Sequence, residues 1–140
     1  MVCGNHMSSK PNTVVVNTTK DSQASHLRGF VALESGTLQG AVQSFLRAVE
    51  LAPESAQRAL LMSRQLSGAG ARIEAEVVLR RALARCPDRL DLREALVHLL
   101  MEDGRQGQAM DELAATARVL PEDLSLRRMA ADIQERLRRR

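Results

Sequence analysis

Aromatic side chains are almost absent from this sequence, which has no Trp, no Tyr and only two Phe residues, Phe30 and Phe45. A core without many rings has to be built from Leu, Val, Ala, Ile and Met. These side chains suit the packing of helix on helix. The composition therefore favours an all-α protein.

Cysteine is also scarce, since Cys3 and Cys86 are the only two. Two cysteines do not make a disulfide framework, which favours a reducing compartment. The sequence has no run near the ~20 apolar residues of a membrane span, and its N-terminus lacks the apolar stretch of a secretory signal. We therefore predict a soluble, cytoplasmic protein with no membrane partner.

Histidine occurs three times, at His6, His26 and His98, and none lies within helical reach of a cysteine. The repetitive body shows no strand pattern, so no Gly-rich phosphate loop can follow a strand. His98 and Glu94 share one face of a predicted helix, but an exposed polar face explains this pair without a metal. The sequence therefore predicts no enzymatic activity, no catalytic residue, no cofactor and no bound metal.

What the sequence does contain is a repeat with a period of 34 residues. Four columns recur at this spacing: Gly36, Gly70 and Gly104; Ala41, Ala75 and Ala109; Phe45, Leu79 and Leu113; Pro53, Pro87 and Pro121. Apolar residues at spacings of three, four and seven predict amphipathic helices between the Gly and Pro columns. A self-similarity of about 34 residues with these features is typical of a helix–turn–helix repeat array.

The columns resemble the tetratricopeptide repeat, whose pattern has a small eighth residue, Ala at the twentieth and twenty-seventh, a large twenty-fourth residue and Pro at the thirty-second. The first two copies match at Gly29, Ala41, Phe45, Ala48 and Pro53, and at Ser63, Ala75, Leu79, Ala82 and Pro87. The third copy departs from the pattern with Val97 and Thr116. The resemblance implies an all-α, right-handed solenoid of antiparallel helix pairs with about seven helices.

The chain divides into a predicted arm and a predicted repeat domain. Residues 1–20 are mostly polar, and the β-branched run that starts at Thr13 favours extended backbone, so we predict a flexible arm there. The first helix is expected to begin at Asp21 or Ser22. Residues 21–140 form the repeat domain, with repeats at about 22–55, 56–89 and 90–123 and a capping helix at 123–138. Further helices are predicted at 38–51, 54–67, 72–85, 88–102 and 106–119.

The resemblance also implies where a partner binds. In this family the first helices of the repeats line a concave groove, and members usually hold a peptide or a partner helix in it. The matching positions in this sequence carry His26, Phe30, Leu33, Leu60, Arg64, Glu94, His98, Met101, Arg128 and Asp132. Alternatively, Phe30, Leu33 and Leu60 are covered by the chain's own tail or belong partly to the core.

The implied function is a non-catalytic protein–protein interaction module or adaptor of a bacterial assembly. Two alternatives stay open: a chaperone for a secreted or assembly subunit, and a regulatory tetratricopeptide region of a larger enzyme. The arm can also link a homo-oligomer, because Val14 and Val16 project to the same side of an extended strand and could enter the groove of a second copy.

Six arginines at the C-terminal end give residues 124–140 a positive charge. No aromatic side chain is interleaved among them for stacking on bases, and Asp132 and Glu135 can pair with them along the helix. We therefore interpret this segment as a solvated cap and predict no nucleic-acid partner.

Overall fold

The computed structural model of the chain describes the backbone of residues 13–119 and 123–139. This part of the chain forms seven α-helices and no β-strand. The helices are α1 (Thr13–Glu34), α2 (Leu38–Leu51), α3 (Ala56–Gly68), α4 (Arg72–Arg85), α5 (Leu90–Glu102), α6 (Gln106–Val119) and α7 (Leu124–Arg138). The predicted all-α fold is confirmed, and the predicted bounds of α2, α4 and α6 are correct to the residue.

The glycine column forms the turns within the helix pairs. Gly36, Gly70 and Gly104 have φ angles of 83°, 82° and 76°. After each glycine the next backbone N–H donates to a carbonyl in the last turn of the preceding helix, as from Thr37 to Ala32 over 2.8 Å. A left-handed residue followed by this hydrogen bond is the Schellman ending of a helix. The three turns predicted from the glycine spacing are therefore confirmed.

The proline column places a β-turn between successive copies. The N–H of Ser55 donates to the carbonyl of Ala52 over 3.1 Å, and the N–H of Arg89 donates to that of Cys86 over 3.3 Å. Pro53 and Pro87 occupy the second position of these turns, which their fixed φ favours. For this reason α3 and α5 begin two residues later than predicted, at Ala56 and Leu90. Pro121 lies outside the described residues.

Backbone contacts divide the chain after Leu92 into two compact units, which we call unit 1 and unit 2. In unit 1, α1 packs on α2 and α3, and α4 packs on α3 and α2. The predicted small and large positions of the first two repeats lie in the buried centre of unit 1: Ala41, Phe45, Ala48, Ala75, Leu79 and Ala82. Single-domain organisation over 21–140 stays a prediction.

Gly29 allows the close approach of α1 and α2. A Cβ atom at this position would lie 2.4 Å from Cδ1 of Phe45 and 3.1 Å from the carbonyl oxygen of Ala41. Such distances leave no room for a side chain, since protein interiors are close-packed. The small residue at this place in the repeat is therefore required by the helix crossing.

Unit 2 accommodates the residues that depart from the repeat pattern. Val97 and Thr116 are both buried. The hydroxyl of Thr116 donates to the carbonyl of Glu112 over 2.7 Å. Because this bond satisfies the hydroxyl, Thr can replace Ala without a buried polar atom left unpaired. The Glu112 carboxylate also forms an ion pair with Arg93, which joins α6 to α5 over 3.1 Å.

The predicted arm is wrong over residues 13–20, because α1 begins at Thr13 and not at Asp21. Thr and Val cost about 0.5 kcal/mol each in a helix relative to Ala. Each residue added to a formed helix closes one more hydrogen bond, which outweighs this cost. The extended segment on which arm-mediated oligomerisation depended is therefore absent from residues 13–20, and residues 1–12 of the predicted arm lie outside the described residues.

Cys86 follows the last residue of α4 and is 1% exposed. Its sulfur is in a disulfide bond, so Cys86 is not a free thiol. The reducing compartment predicted from the two cysteines therefore has no support in the structure. None of the described helices is long and apolar enough to cross a membrane.

Candidate functional site

An open cleft of about 560 Å³ lies between α1 and α3 in unit 1, and we call it the α1–α3 cleft. Its lining consists of Gln23, His26, Leu27, Ser55, Gln57, Arg58 and Leu61. Leu27 is 64% exposed and Leu61 is 45% exposed. The cleft therefore presents one large apolar side chain from each helix to solvent.

His26 connects the cleft to the core of unit 1. Its Nε2 lies 3.1 Å from Oε1 of Gln65 on α3. Its ring meets that of Phe45 edge to face, with centroids 5.6 Å apart. Burial lowers the pKa of His26 below its ordinary value of 6.5, the hydrogen bond to Gln65 opposes this shift, and the charge of Arg58 adds to it. Neutral His26 therefore donates from Nε2 to Gln65 and holds α1 against α3.

Arg58 is the charged side chain of the lining. Its Nη1 donates to the hydroxyl of Ser22 over 2.8 Å, and Ser22 in turn donates to the carbonyl of Ala48 over 2.8 Å. This chain of hydrogen bonds links α3 to α1 and α2 and fixes the guanidinium. No carboxylate among the described residues forms an ion pair with Arg58. The guanidinium has five N–H donors, so it can still bind an anionic group that enters the cleft.

The predicted groove residues of unit 1 have different surroundings. His26 lines the α1–α3 cleft. Phe30 and Arg64 are exposed on α1 and α3, each about one turn beyond the cleft. Leu33 lines a separate cavity of about 260 Å³ beside the turn at Gly70. Leu60 is half-buried and does not line the cleft.

In unit 2, His98, Arg128 and Asp132 are exposed and Glu94 is half-buried. Met101 is 8% exposed, so it offers little surface to a partner. Among the residues that the structure describes, no three His, Cys, Asp or Glu side chains are placed to hold a metal ion. A role for the residues of unit 2 in partner binding stays a prediction.

Sequence reasoning missed most of the lining of the α1–α3 cleft. A signal was present, because Gln23 and Gln57, like Leu27 and Leu61, are separated by one 34-residue period. The prediction placed Leu60 in the groove, whereas the neighbouring Leu61 lines the cleft. One residue along a helix corresponds to a rotation of about 100°, so this shift decides which side chain lines the cleft.

Solved structures that resemble this arrangement of helices include two tetratricopeptide repeat proteins. One is TTC0263, a thermophilic tetratricopeptide repeat protein of Thermus thermophilus, with a TM-score of 0.53 and 30% sequence identity over 71% of this chain and 51% of the other. The second is the tetratricopeptide repeat domain of OM64 from Arabidopsis, with a TM-score of 0.54 and 12% identity over 85% of this chain and 98% of the other. The chain has the tetratricopeptide repeat fold. The resemblance predicted from the 34-residue columns is thus confirmed.

The likeness has a limited extent, since the chain spans about half the length of the Thermus protein. No known family profile matches the chain, and no curated protein matches it. Tetratricopeptide repeat domains are typically non-catalytic interaction domains, so the fold supports protein binding in general.

The pKa of His26 leads to a prediction for stability. A neutral ring is favoured by the folded state, so the contribution of His26 is complete above pH 6.5 and is lost as pH falls from there toward the lowered pKa. We expect the melting temperature of the chain to fall as the pH is lowered from neutral through 6.5, and to fall less in His26→Gln. Thermal unfolding across this range, followed by circular dichroism, measures the difference.

The matched control for this experiment is His98→Gln, because His98 is exposed on α5. Its pH profile is expected to follow that of the unaltered chain. A flattened profile in His98→Gln, together with an unchanged profile in His26→Gln, would show that His26 does not carry the effect.

Proposed function

We propose that the chain is a non-catalytic protein-interaction module, an adaptor that binds a peptide or partner helix in the α1–α3 cleft. The observation that carries this proposal is the combination of two exposed leucines with a fixed guanidinium that has no carboxylate partner among the described residues. Interface energy concentrates on large apolar side chains in pockets and on Arg. The cleft contains both.

The lining indicates the chemistry of the partner segment. An apolar side chain between Leu27 and Leu61 would be removed from water on two sides. A carboxylate beside that side chain would meet Arg58, and the amides of Gln23 and Gln57 can bond its backbone. The segment we propose therefore carries a leucine-like residue next to an acidic group. Phe30 and Arg64 extend the same site along the two helices.

Leu61→Ala is expected to weaken binding of the partner about tenfold, because it removes one of the two apolar contacts. The partner is first obtained by affinity capture with the full chain and identified by mass spectrometry. Isothermal titration of the purified partner with each variant then gives the dissociation constant. Circular dichroism checks that helix content is unchanged.

Val77→Ala is the matched control, since Val77 is 43% exposed on α4 and lies outside the cleft. Its dissociation constant should equal that of the unaltered chain. If Val77→Ala weakens binding and Leu61→Ala does not, the partner binds a different face and the proposed cleft is wrong.

A further inference from the structure

A second open groove lies between α6 and α7 in unit 2, with a volume of about 230 Å³, and we call it the α6–α7 groove. Its lining is mostly apolar, and Asp123 and Arg127 are its charged residues. Five of its residues have counterparts in unit 1, two periods of 34 residues earlier, that line one site there. These five are Ala117, Asp123, Leu126, Arg127 and Ala130.

The equivalent place in unit 1 is filled by a helix. Val49, Ser55, Arg58, Ala59 and Met62 lie there at the matching positions on or beside α2 and α3. Ala82 of α4 completes the lining, and no room remains even for a water molecule. In unit 1, α4 therefore occupies the groove between α2 and α3.

Unit 2 contains the equivalent groove, and no described helix of unit 2 occupies it. By their place in the repeat, α6 corresponds to α2 and α7 corresponds to α3. Within the described part of unit 2, no helix takes the place that α4 has in unit 1. Leu113 and Leu126 are buried, but Ala114 and Arg127 on the groove walls are exposed.

We propose that the α6–α7 groove binds an amphipathic helix of a partner protein in the manner in which α4 binds α2 and α3. The buried face of α4 defines the shape required, with small or aliphatic residues at spacings of three, four and seven: Ala75, Val78, Leu79, Ala82 and Leu83. Arg127 defines the charge required. It stands where unit 1 has Ala59, and no described carboxylate forms an ion pair with it. The partner helix carries an acidic side chain at the position that faces Arg127.

A second copy of this chain does not fit the groove. The faces of α2 and α4 that have the required shape are already buried within unit 1. The exposed surface of α7 carries an excess of positive charge, which would oppose Arg127 of the other copy. Its exposed charged residues are four arginines, Arg127, Arg128, Arg136 and Arg138, and two carboxylates, Asp132 and Glu135. The occupant in this proposal is a helix of another protein. This site is separate from the α1–α3 cleft, which lies in unit 1.

The test uses a synthetic peptide with the sequence of residues 72–85 and the change Ala82→Glu, which provides the carboxylate for Arg127. A covalent bridge between positions 77 and 81, both exposed in α4, holds the peptide in a helix. Fluorescence anisotropy of the labelled peptide is measured against the full chain. We expect saturable binding that Ala114→Glu weakens about tenfold or more.

Ala115→Glu provides a matched control, because Ala114 and Ala115 are adjacent exposed alanines of α6 and only Ala114 lines the groove. Ala115→Glu should bind the peptide within about twofold of the unaltered chain. Leu61→Ala should also leave this binding unchanged, which separates the α6–α7 groove from the α1–α3 cleft.

Three results would overturn the proposal. The first is no saturable binding up to the solubility limit of the peptide. The second is an equal loss of binding in the variants at 114 and 115, or a loss only in Leu61→Ala. The third is a dimer of the chain, seen by sedimentation velocity and abolished by Ala114→Glu, which would assign the groove to a second copy.

Discussion

Gly29→Ala is expected to lower the free energy of unfolding by about 3 kcal/mol, the upper end of the cost of overpacking. The new methyl group would lie 2.4 Å and 2.5 Å from two ring carbons of Phe45 and 3.1 Å from a backbone oxygen of α2. Phe45 is fully buried, so its ring has no free space to move into. Urea denaturation followed by circular dichroism measures the change.

The three copies suggest how this loss can be compensated. The small eighth position and the large twenty-fourth position pair as Gly29 with Phe45, Ser63 with Leu79, and Val97 with Leu113. Glycine at the eighth position thus pairs with the aromatic ring at the twenty-fourth, and the larger Ser and Val pair with Leu. Gly29→Ala combined with Phe45→Leu should therefore be less destabilised than the sum of the single changes, by about 1 kcal/mol.

Gly107→Ala is the control for the helix itself, because a Cβ atom at this position in α6 meets nothing within 4 Å. No loss of stability is expected there, since Ala is the better helix former. Strict additivity of the two changes at 29 and 45, or a comparable loss in Gly107→Ala, would contradict the packing account.

Arg58→Glu is expected to weaken binding at the α1–α3 cleft about hundredfold. The change replaces the cation of the lining by an anion, which would repel the acidic group of the proposed partner segment. It also removes the hydrogen bond that Arg58 donates to Ser22. Arg58→Gln keeps an amide donor without the charge, so it should show a smaller loss and a weaker dependence of affinity on salt.

Arg47→Glu is the matched charge reversal outside the cleft, since Arg47 is exposed on α2. It should leave the dissociation constant unchanged at physiological salt. Calorimetry at two salt concentrations distinguishes the variants. If Arg58→Glu and Arg47→Glu weaken binding equally, the effect comes from net charge and not from the cleft.

The helix bounds could be predicted closely wherever local chemistry marks both ends of a helix. α2, α4 and α6 each begin shortly after a glycine with positive φ, and α2 and α4 end just before Pro53 and Pro87. These signals act within a few residues, so they need no knowledge of tertiary contacts. The start of α1 could not be predicted in this way. The free-energy cost of placing Thr13–Val16 in a helix is smaller than the gain from extending a helix that is already formed.

The lining of the α1–α3 cleft overlaps only partly with the predicted groove residues. Of the predicted groove residues, His26 lines the cleft and Leu60 does not. Arg58 and Leu61 line the cleft and were not among the predicted groove residues. The 34-residue period specifies that α1 and α3 occupy equivalent places in successive repeats. It does not specify how far each helix is rotated about its own axis, because that angle results from the fit of many side chains at once.

By itself the sequence determined the helical repeat, its period, its turns and the small residues at its helix crossings, because each depends on backbone conformation or on spacing along a single helix. Only the tertiary structure decided that Arg58 is held by Ser22, that the pKa of His26 is lowered, and that the α6–α7 groove is open. Each of these depends on residues from separate helices that packing brings together. Distances between such residues follow from the shapes of the packed side chains and not from their order in the chain.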